Sequence, residues 1–179
     1  MTGILTGVTA FVFLTAFECR KCRSFKKGIP RKNYWFIAGT VMLFISYITA
    51  AEGMPADSSI RFASGLLIMT AGMAAYAYVL FSVQGTATYI NDSIGGETGS
   101  AGIYGRMRHP GIWCFGAVSF GYWLAFPRGL ASAVLCTALN FIYTLLQDRY
   151  FFPVYLKGYR EYRENTPFMF PFKGNEKKS

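Results

Sequence analysis

Two short runs hold most of the side chains that could do chemistry: Arg106-Met107-Arg108-His109-Pro110 and Gln147-Asp148-Arg149. His109 is the single histidine of the chain, and so the one side chain whose ordinary titration falls near neutral pH. Asp148 lies at the end of a long apolar run, where a carboxylate needs a cationic partner or a polar ligand to offset its desolvation. Arg108 and Arg149 are the candidate partners. Downstream, Tyr155, Tyr159 and Tyr162 stand at i, i+4 and i+7, the spacing of one helical face, with Arg160, Glu161, Arg163 and Glu164 as polar neighbours. Taken singly, each residue has a plainer reading: an interfacial histidine, topological arginines, anchoring tyrosines.

The elements that would position these residues are apolar. Of 179 residues, 53% are hydrophobic and 15% charged, which points to one membrane domain over 1–179 instead of a soluble one. Five segments read as spans: Thr2 to Phe17, Tyr34 to Ala51, Phe62 to Val83, Gly111 to Phe126 and Leu130 to Leu146. The expected fold is therefore all-α, a bundle of five transmembrane helices. Three spans occupy 1–83, a cytoplasmic loop 84–110, a helical hairpin 111–146 and a cytoplasmic tail 147–179. Several spans fall short of the roughly 20 residues that cross a hydrocarbon core, so local thinning or interfacial anchoring must help. The last two are joined only by Pro127-Arg128-Gly129, which makes them a tight antiparallel pair. Ala63, Ser64, Gly65, Ala71, Gly72, Ala74 and Ala75 give the third span a small-residue surface for close helix packing. Beyond the hairpin, Pro153 should break or kink the chain, and Val154 to Glu164 should form an amphipathic interfacial helix.

A net charge of +9 would suggest nucleic acid in a soluble protein, but here the charges lie between apolar runs. Apart from Arg61 and Arg128, every lysine and arginine falls after the first span, after the third or after the fifth. The positive-inside rule then sets the N-terminus outside and the C-terminus in the cytoplasm. The first segment lacks a basic leader and is followed by its positive charges, so a retained span is expected there, not a signal peptide. None of the five segments as drawn carries a charged residue or histidine, which weakens a pump, channel or transporter. Cys19 and Cys22 have the spacing of half a zinc site without the other ligands, so no metal is expected; two reduced thiols, open to acylation, are the alternative. The glycine-rich stretch Gly95-Gly96-Glu97-Thr98-Gly99-Ser100-Ala101-Gly102 follows no strand and reads as a flexible hinge or lid.

Because the fourth span leaves the cytoplasmic face and the fifth returns to it, Arg108-His109-Pro110 and Gln147-Asp148-Arg149 must meet. Together they resemble the membrane methyltransferases that include isoprenylcysteine carboxyl methyltransferases and phospholipid N-methyltransferases. That pattern has Gly-x-Tyr, three residues, then Arg-His-Pro, which Gly102, Tyr104, Arg108, His109 and Pro110 match without a gap. A span pair, a Glu-Glu step, a Tyr-x-x-Tyr and a proline-containing tail come next, with Asp148, Tyr159, Tyr162 and Pro171 in the corresponding places. The resemblance covers roughly 102 to 171. Gln147 replaces the first glutamate, Asp148 shortens the second, Ile112 stands where tyrosine is usual and Cys114 where glycine is common.

The resemblance implies an S-adenosylmethionine-dependent enzyme acting on a lipid-like or prenylated acceptor, with no metal and no nucleic acid. It implies cofactor contacts from Gly102, Tyr104, His109, Pro110, Gln147, Asp148, Tyr159 and Tyr162. Arg108, His109 and Arg149 are the expected catalytic residues. Asp148 would take the cofactor's ammonium or ribose hydroxyls, and Tyr159 and Tyr162 would close the cytoplasmic side. A carboxylate acceptor is favoured, because Arg106, Arg108 and Arg149 outnumber the possible bases, His109 and Asp148. The alternatives are an amine acceptor as in phospholipid N-methylation, a divergent protein that keeps the fold without turnover, and, last, a reductase like the larger sterol reductases.

Overall fold

A computed structural model describes residues 2–27, 33–51, 55–81 and 102–170; the glycine-rich stretch before Gly102, and the C-terminal residues from Pro171 onward, lie outside the described residues. The described chain is helical, with α1 at Thr2–Lys27, α2 at Tyr34–Ala50, α3 at Ser59–Phe81, α4 at Gly111–Ala125, α5 at Leu130–Leu146, α6 at Phe152–Tyr155 and α7 at Tyr159–Asn165. Short 3₁₀ turns cover Gly102–Gly105 and Pro127–Gly129, and a π-helical turn covers Gln147–Phe151. Three stretches are long and apolar enough to cross a membrane, Thr2–Lys27, Ser59–Phe81 and Pro127–Tyr155. Tyr34–Ala50 and Gly111–Ala125 are apolar but shorter, each well under the ~30 Å of a hydrocarbon core at the helical rise of about 1.5 Å per residue.

Two helix pairs form the body. α1 packs along α2 and α3 along α4, while α5 joins them by packing on α4 and α1. Close approach of α3 and α4 depends on missing side chains: a Cβ on Gly65 would lie 2.5 Å from the Ala125 amide nitrogen, and one on Gly121 2.5 Å from that of Met69. The small-residue surface expected on the third span is used in this way at Gly65 and Gly72. Outward faces stay apolar, as Ile37, Phe44 and Ile48 on α2 and Leu67 and Phe81 on α3 illustrate, and such surfaces suit lipid better than water.

The expected hairpin is present, with Gly129 N–H donating to Phe126 O in the 3₁₀ turn between α4 and α5. Arg61 and Arg128 lie at this end, Arg61 5.5 Å from the Trp123 ring. The opposite end gathers the basic end of α1, the Arg108 corner and the segment after α5, since Cys22 Sγ contacts Phe151 O and Arg108 contacts Asp148.

Three boundaries differ from expectation; one is the start of α3, which lies at Ser59 instead of Phe62 and takes Arg61 into the first turn. α1 continues ten residues past Phe17, because Arg20, Lys21, Arg23, Lys26 and Lys27 are good helix formers and stabilise the negative end of the helix dipole. The amphipathic helix expected over Val154 to Glu164 is two pieces, broken at Leu156–Gly158 where Gly158 takes φ +76°. Pro153 sits in the first turn of α6, directly after the π turn that interrupts the α-helical hydrogen-bond ladder.

Candidate functional site

Asp148 is the hub of a buried polar cluster. Its Oδ1 accepts from Arg108 Nε at 2.8 Å, from Tyr159 Oη at 2.7 Å and from His109 Nε2 at 2.9 Å. Its Oδ2 takes Arg108 Nη2 at 3.3 Å and faces Arg163 Nε at 3.4 Å. Five contacts exhaust the roughly four lone-pair positions of a carboxylate, and the buried Arg108 guanidinium balances its charge, with Arg163 at the more exposed edge. The remaining Arg108 contacts run from Nη1 to the carbonyls of Arg163, at 2.6 Å, and Thr166. Four of its five N–H donors are therefore committed.

Backbone geometry holds this corner. Arg108 N–H donates to Pro167 O and His109 N–H to Phe168 O, so the segment after α7 lies along the Arg-His-Pro run. Trp113 Nε1 extends the seam to Met169 O at 2.9 Å. Pro110 directly precedes α4, where its missing donor costs nothing. The His109 ring stacks on Phe152 at 5.8 Å and tilts against Phe168 at 4.8 Å. Burial lowers its pKa from the usual 6.5, against the opposing pull of the Asp148 hydrogen bond, so the ring is neutral at pH 7. A neutral ring bonded to a carboxylate carries its proton on Nε2, which leaves Nδ1 as the proton acceptor. Tyr159 is pushed up by burial and by its bond to Asp148, and Tyr162 by burial and neighbouring Tyr104, so both phenols stay protonated. Tyr162 Oη donates to Tyr104 O at 2.6 Å, tying α7 to the Gly-x-Tyr turn.

This cluster closes one end of a cavity of about 520 Å³. At that end the wall includes Tyr104, Arg108, His109, Pro110, Tyr159 and Tyr162, joined by Gln147 from the π turn. The rest is largely apolar and continues between α2 and α3, through Phe36, Leu43, Tyr47, Met69, Met73 and Phe115, as far as Phe126. Polar side chains on α5, Asn140, Tyr143 and Thr144, line it on the way to Gln147. Their i, i+3, i+4, i+7 spacing was legible in the sequence as one face of a helix, yet the sequence reading passes over it.

The expected site residues thus divide. Tyr104, Arg108, His109, Pro110, Gln147, Tyr159 and Tyr162 border the cavity. Asp148 stands behind them, with its oxygens taken by Arg108, His109 and Tyr159, and does not itself line the wall. Arg149 and Arg106 are exposed and do not border the cavity, and Arg163, not Arg149, is the second cation at Asp148. Gly102 opens the 3₁₀ turn at φ +62°, a conformation glycine adopts without strain, and serves that turn rather than the wall.

One residue escaped sequence reading entirely. Glu18 of α1 is fully buried, one position beyond the expected end of the first span. Polar chemistry is consequently not confined to the two segments flanking the hairpin. Among the described residues no three His, Cys, Asp or Glu side chains come together as a metal site. No family model matches the chain, and no curated protein or solved structure matches it.

Proposed function

We propose that this chain is an integral membrane enzyme of five spans that transfers a methyl group from S-adenosylmethionine to a lipophilic acceptor, with the Asp148 end of the bundle in the cytoplasm. The observation that carries the reading is convergence. The Gly102–Pro110 and Gln147–Tyr162 segments, far apart in sequence, meet at one polar end of a cavity that is otherwise apolar. The uneven distribution of basic residues between the two ends supports the orientation.

The residues present fit the donor. A volume of about 520 Å³ lies within the roughly 300–1,000 Å³ of small-molecule sites. Aromatic walls at Tyr104 and Phe152 suit adenine, the remaining Arg108 N–H suits a carboxylate, and Gln147 and the tyrosine end suit hydroxyls and an ammonium. When bound, S-adenosylmethionine supplies an electrophilic methyl group on a positively charged sulfur. Asp148 acts through its neighbours: it orients His109 and Tyr159 and anchors Arg108. The cavity walls exclude water and align the acceptor, and alignment alone can supply a large share of a displacement's acceleration.

For the acceptor, an amine is favoured by a specific observation. Of the three arginines that would position a carboxylate, two are exposed away from the cavity and Arg108 has a single uncommitted N–H. His109, neutral and on the wall, has in Nδ1 a base for the proton that an ammonium must lose before its nitrogen can attack. The test is transfer of a radiolabelled methyl group by the purified protein in lipid nanodiscs, with an aminophospholipid or a prenylated cysteine carboxylate as acceptor. Label is expected in the aminophospholipid. Label in the carboxylate alone reverses the choice of acceptor, and label in neither refutes the enzyme.

A further inference from the structure

Beside the Asp148 cluster lies a second buried polar centre. Glu18 Oε1 accepts from Gln147 Nε2 at 2.7 Å and from Tyr143 Oη at 3.1 Å, and Oε2 accepts from Tyr155 Oη at 2.9 Å. The Lys21 ammonium sits 3.9 Å from the centre of the Tyr155 ring. The three donors are distributed along the chain in a telling way: Tyr143 precedes the π turn, Gln147 begins it and Tyr155 lies beyond it.

A π turn inserts one residue into a helix, and one residue is about 100° of rotation. Its presence decides which of Gln147, Asp148 and Arg149 face the interior. Here Gln147 and Asp148 are buried and Arg149 is exposed. Pro153 disfavours a regular α-helix here, because it cannot donate to the carbonyl four residues back, but it leaves open which side chains the widened turn directs inward. A carboxylate from α1 that grips the chain before, at and after the bulge does select them, since leaving a buried donor unmatched is costly.

We propose that Glu18 is a positioning residue for the pocket: by gripping both sides of the π turn, it sets the register that aims Asp148 at His109, Tyr159 and Arg108. Its relevance to turnover rests on the methyl-transfer reading, but the positioning itself can be read without any ligand. The single histidine makes this possible, because ¹⁵N-histidine labelling reports His109 alone.

The experiment compares the wild type, Glu18→Gln, and the exchange Glu18→Gln/Gln147→Glu, which restores a carboxylate–amide pair in reverse. Each is studied in nanodiscs at pH 8, with S-adenosylmethionine binding measured by calorimetry alongside. The wild type should show the Nε2–H tautomer held by Asp148. Glu18→Gln should show mixed tautomers with retained helicity, and about tenfold weaker binding, as expected for one buried donor left unmatched. The exchange should restore the Nε2–H tautomer. Tyr155→Phe, which removes one donor, should shift the tautomer ratio in the same direction and provides the reading if Glu18→Gln does not fold. An unchanged tautomer in Glu18→Gln, or in Tyr155→Phe where that variant stands in, overturns the proposal, as does a folded exchange variant that fails to recover the tautomer. A wild type that shows the tautomer pattern but binds no S-adenosylmethionine removes the methyl-transfer reading and leaves the positioning role intact.

Discussion

Replacing Asp148 by asparagine keeps the side chain's size while removing its charge and one of its two acceptor oxygens. In the native cluster Oδ1 serves Arg108, His109 and Tyr159, and Oδ2 serves Arg108 and faces Arg163. An amide would turn an NH₂ group toward donors, so at least one charged hydrogen bond is lost and the Arg108 side chain, 9% exposed, is left without its counter-ion. Removing one member of a buried pair costs about 3–5 kcal/mol. The lower end applies here, about 3 kcal/mol, because Arg108 keeps its bonds to the Arg163 and Thr166 carbonyls. Arg163 is 42% exposed on its side chain and adds little. Arg108→Met should cost a similar amount for the converse reason. Because both variants remove the same interaction, the double variant should lose about 4 kcal/mol instead of about 6, a coupling of about 2 kcal/mol. Reversible unfolding in mixed micelles, followed by far-ultraviolet circular dichroism, measures all three. Additivity within about 0.5 kcal/mol would refute the pairing, and so would an Asp148→Asn variant as stable as the wild type.

The pH dependence comes from His109. The unfolded chain binds its proton near 6.5 and the folded chain only at lower pH, so this contribution to stability is complete above pH 6.5 and falls as pH drops below it. Stability should fall as pH drops below 6.5, and His109→Gln should flatten that fall; a wild type whose stability does not change as pH drops from 6.5 would contradict the buried neutral ring. Gly121→Ala should destabilise by about 1–3 kcal/mol, because its Cβ would lie 2.5 Å from Met69 N and 2.7 Å from Gly65 O. Gly116→Ala on the same helix meets nothing within 4 Å and should lose no stability in the same unfolding assay. Tyr162→Phe removes the bond to Tyr104 O and should cost about 1 kcal/mol, with faster hydrogen exchange in the Gly102–Gly105 turn as the local readout.

How much of this was legible in the sequence depended on what each feature rests on. The bounds of α5 were readable to the residue, because an apolar run of that length starts at a glycine turn and stops at Gln147. The meeting of Arg108-His109-Pro110 with Asp148 came from hairpin connectivity, which needs no side-chain detail. The end of α1 did not, since Arg20 to Lys27 read equally well as a charged loop until helix propensity and the packing of Glu18 are considered. The different fates of Asp148 and Arg149 were also hidden. Neighbours on a helix point about 100° apart, and the π turn that decides between them depends on Glu18, over a hundred residues away. In the same way, a tyrosine triad at i, i+4, i+7 became three contacts to three partners, Glu18, Asp148 and Tyr104, once Gly158 broke the helix.

The central claim is that the Asp148-supported end of the cavity holds S-adenosylmethionine, and calorimetric titration of the purified, lipid-embedded chain addresses it most directly. Saturable binding of one molecule per chain is predicted, weakened more than about tenfold by His109→Ala, which removes a wall residue and its bond to Asp148, and unchanged by Arg149→Ala at the exposed face of the π turn. Absence of binding to the folded protein, or binding indifferent to His109, would contradict the account.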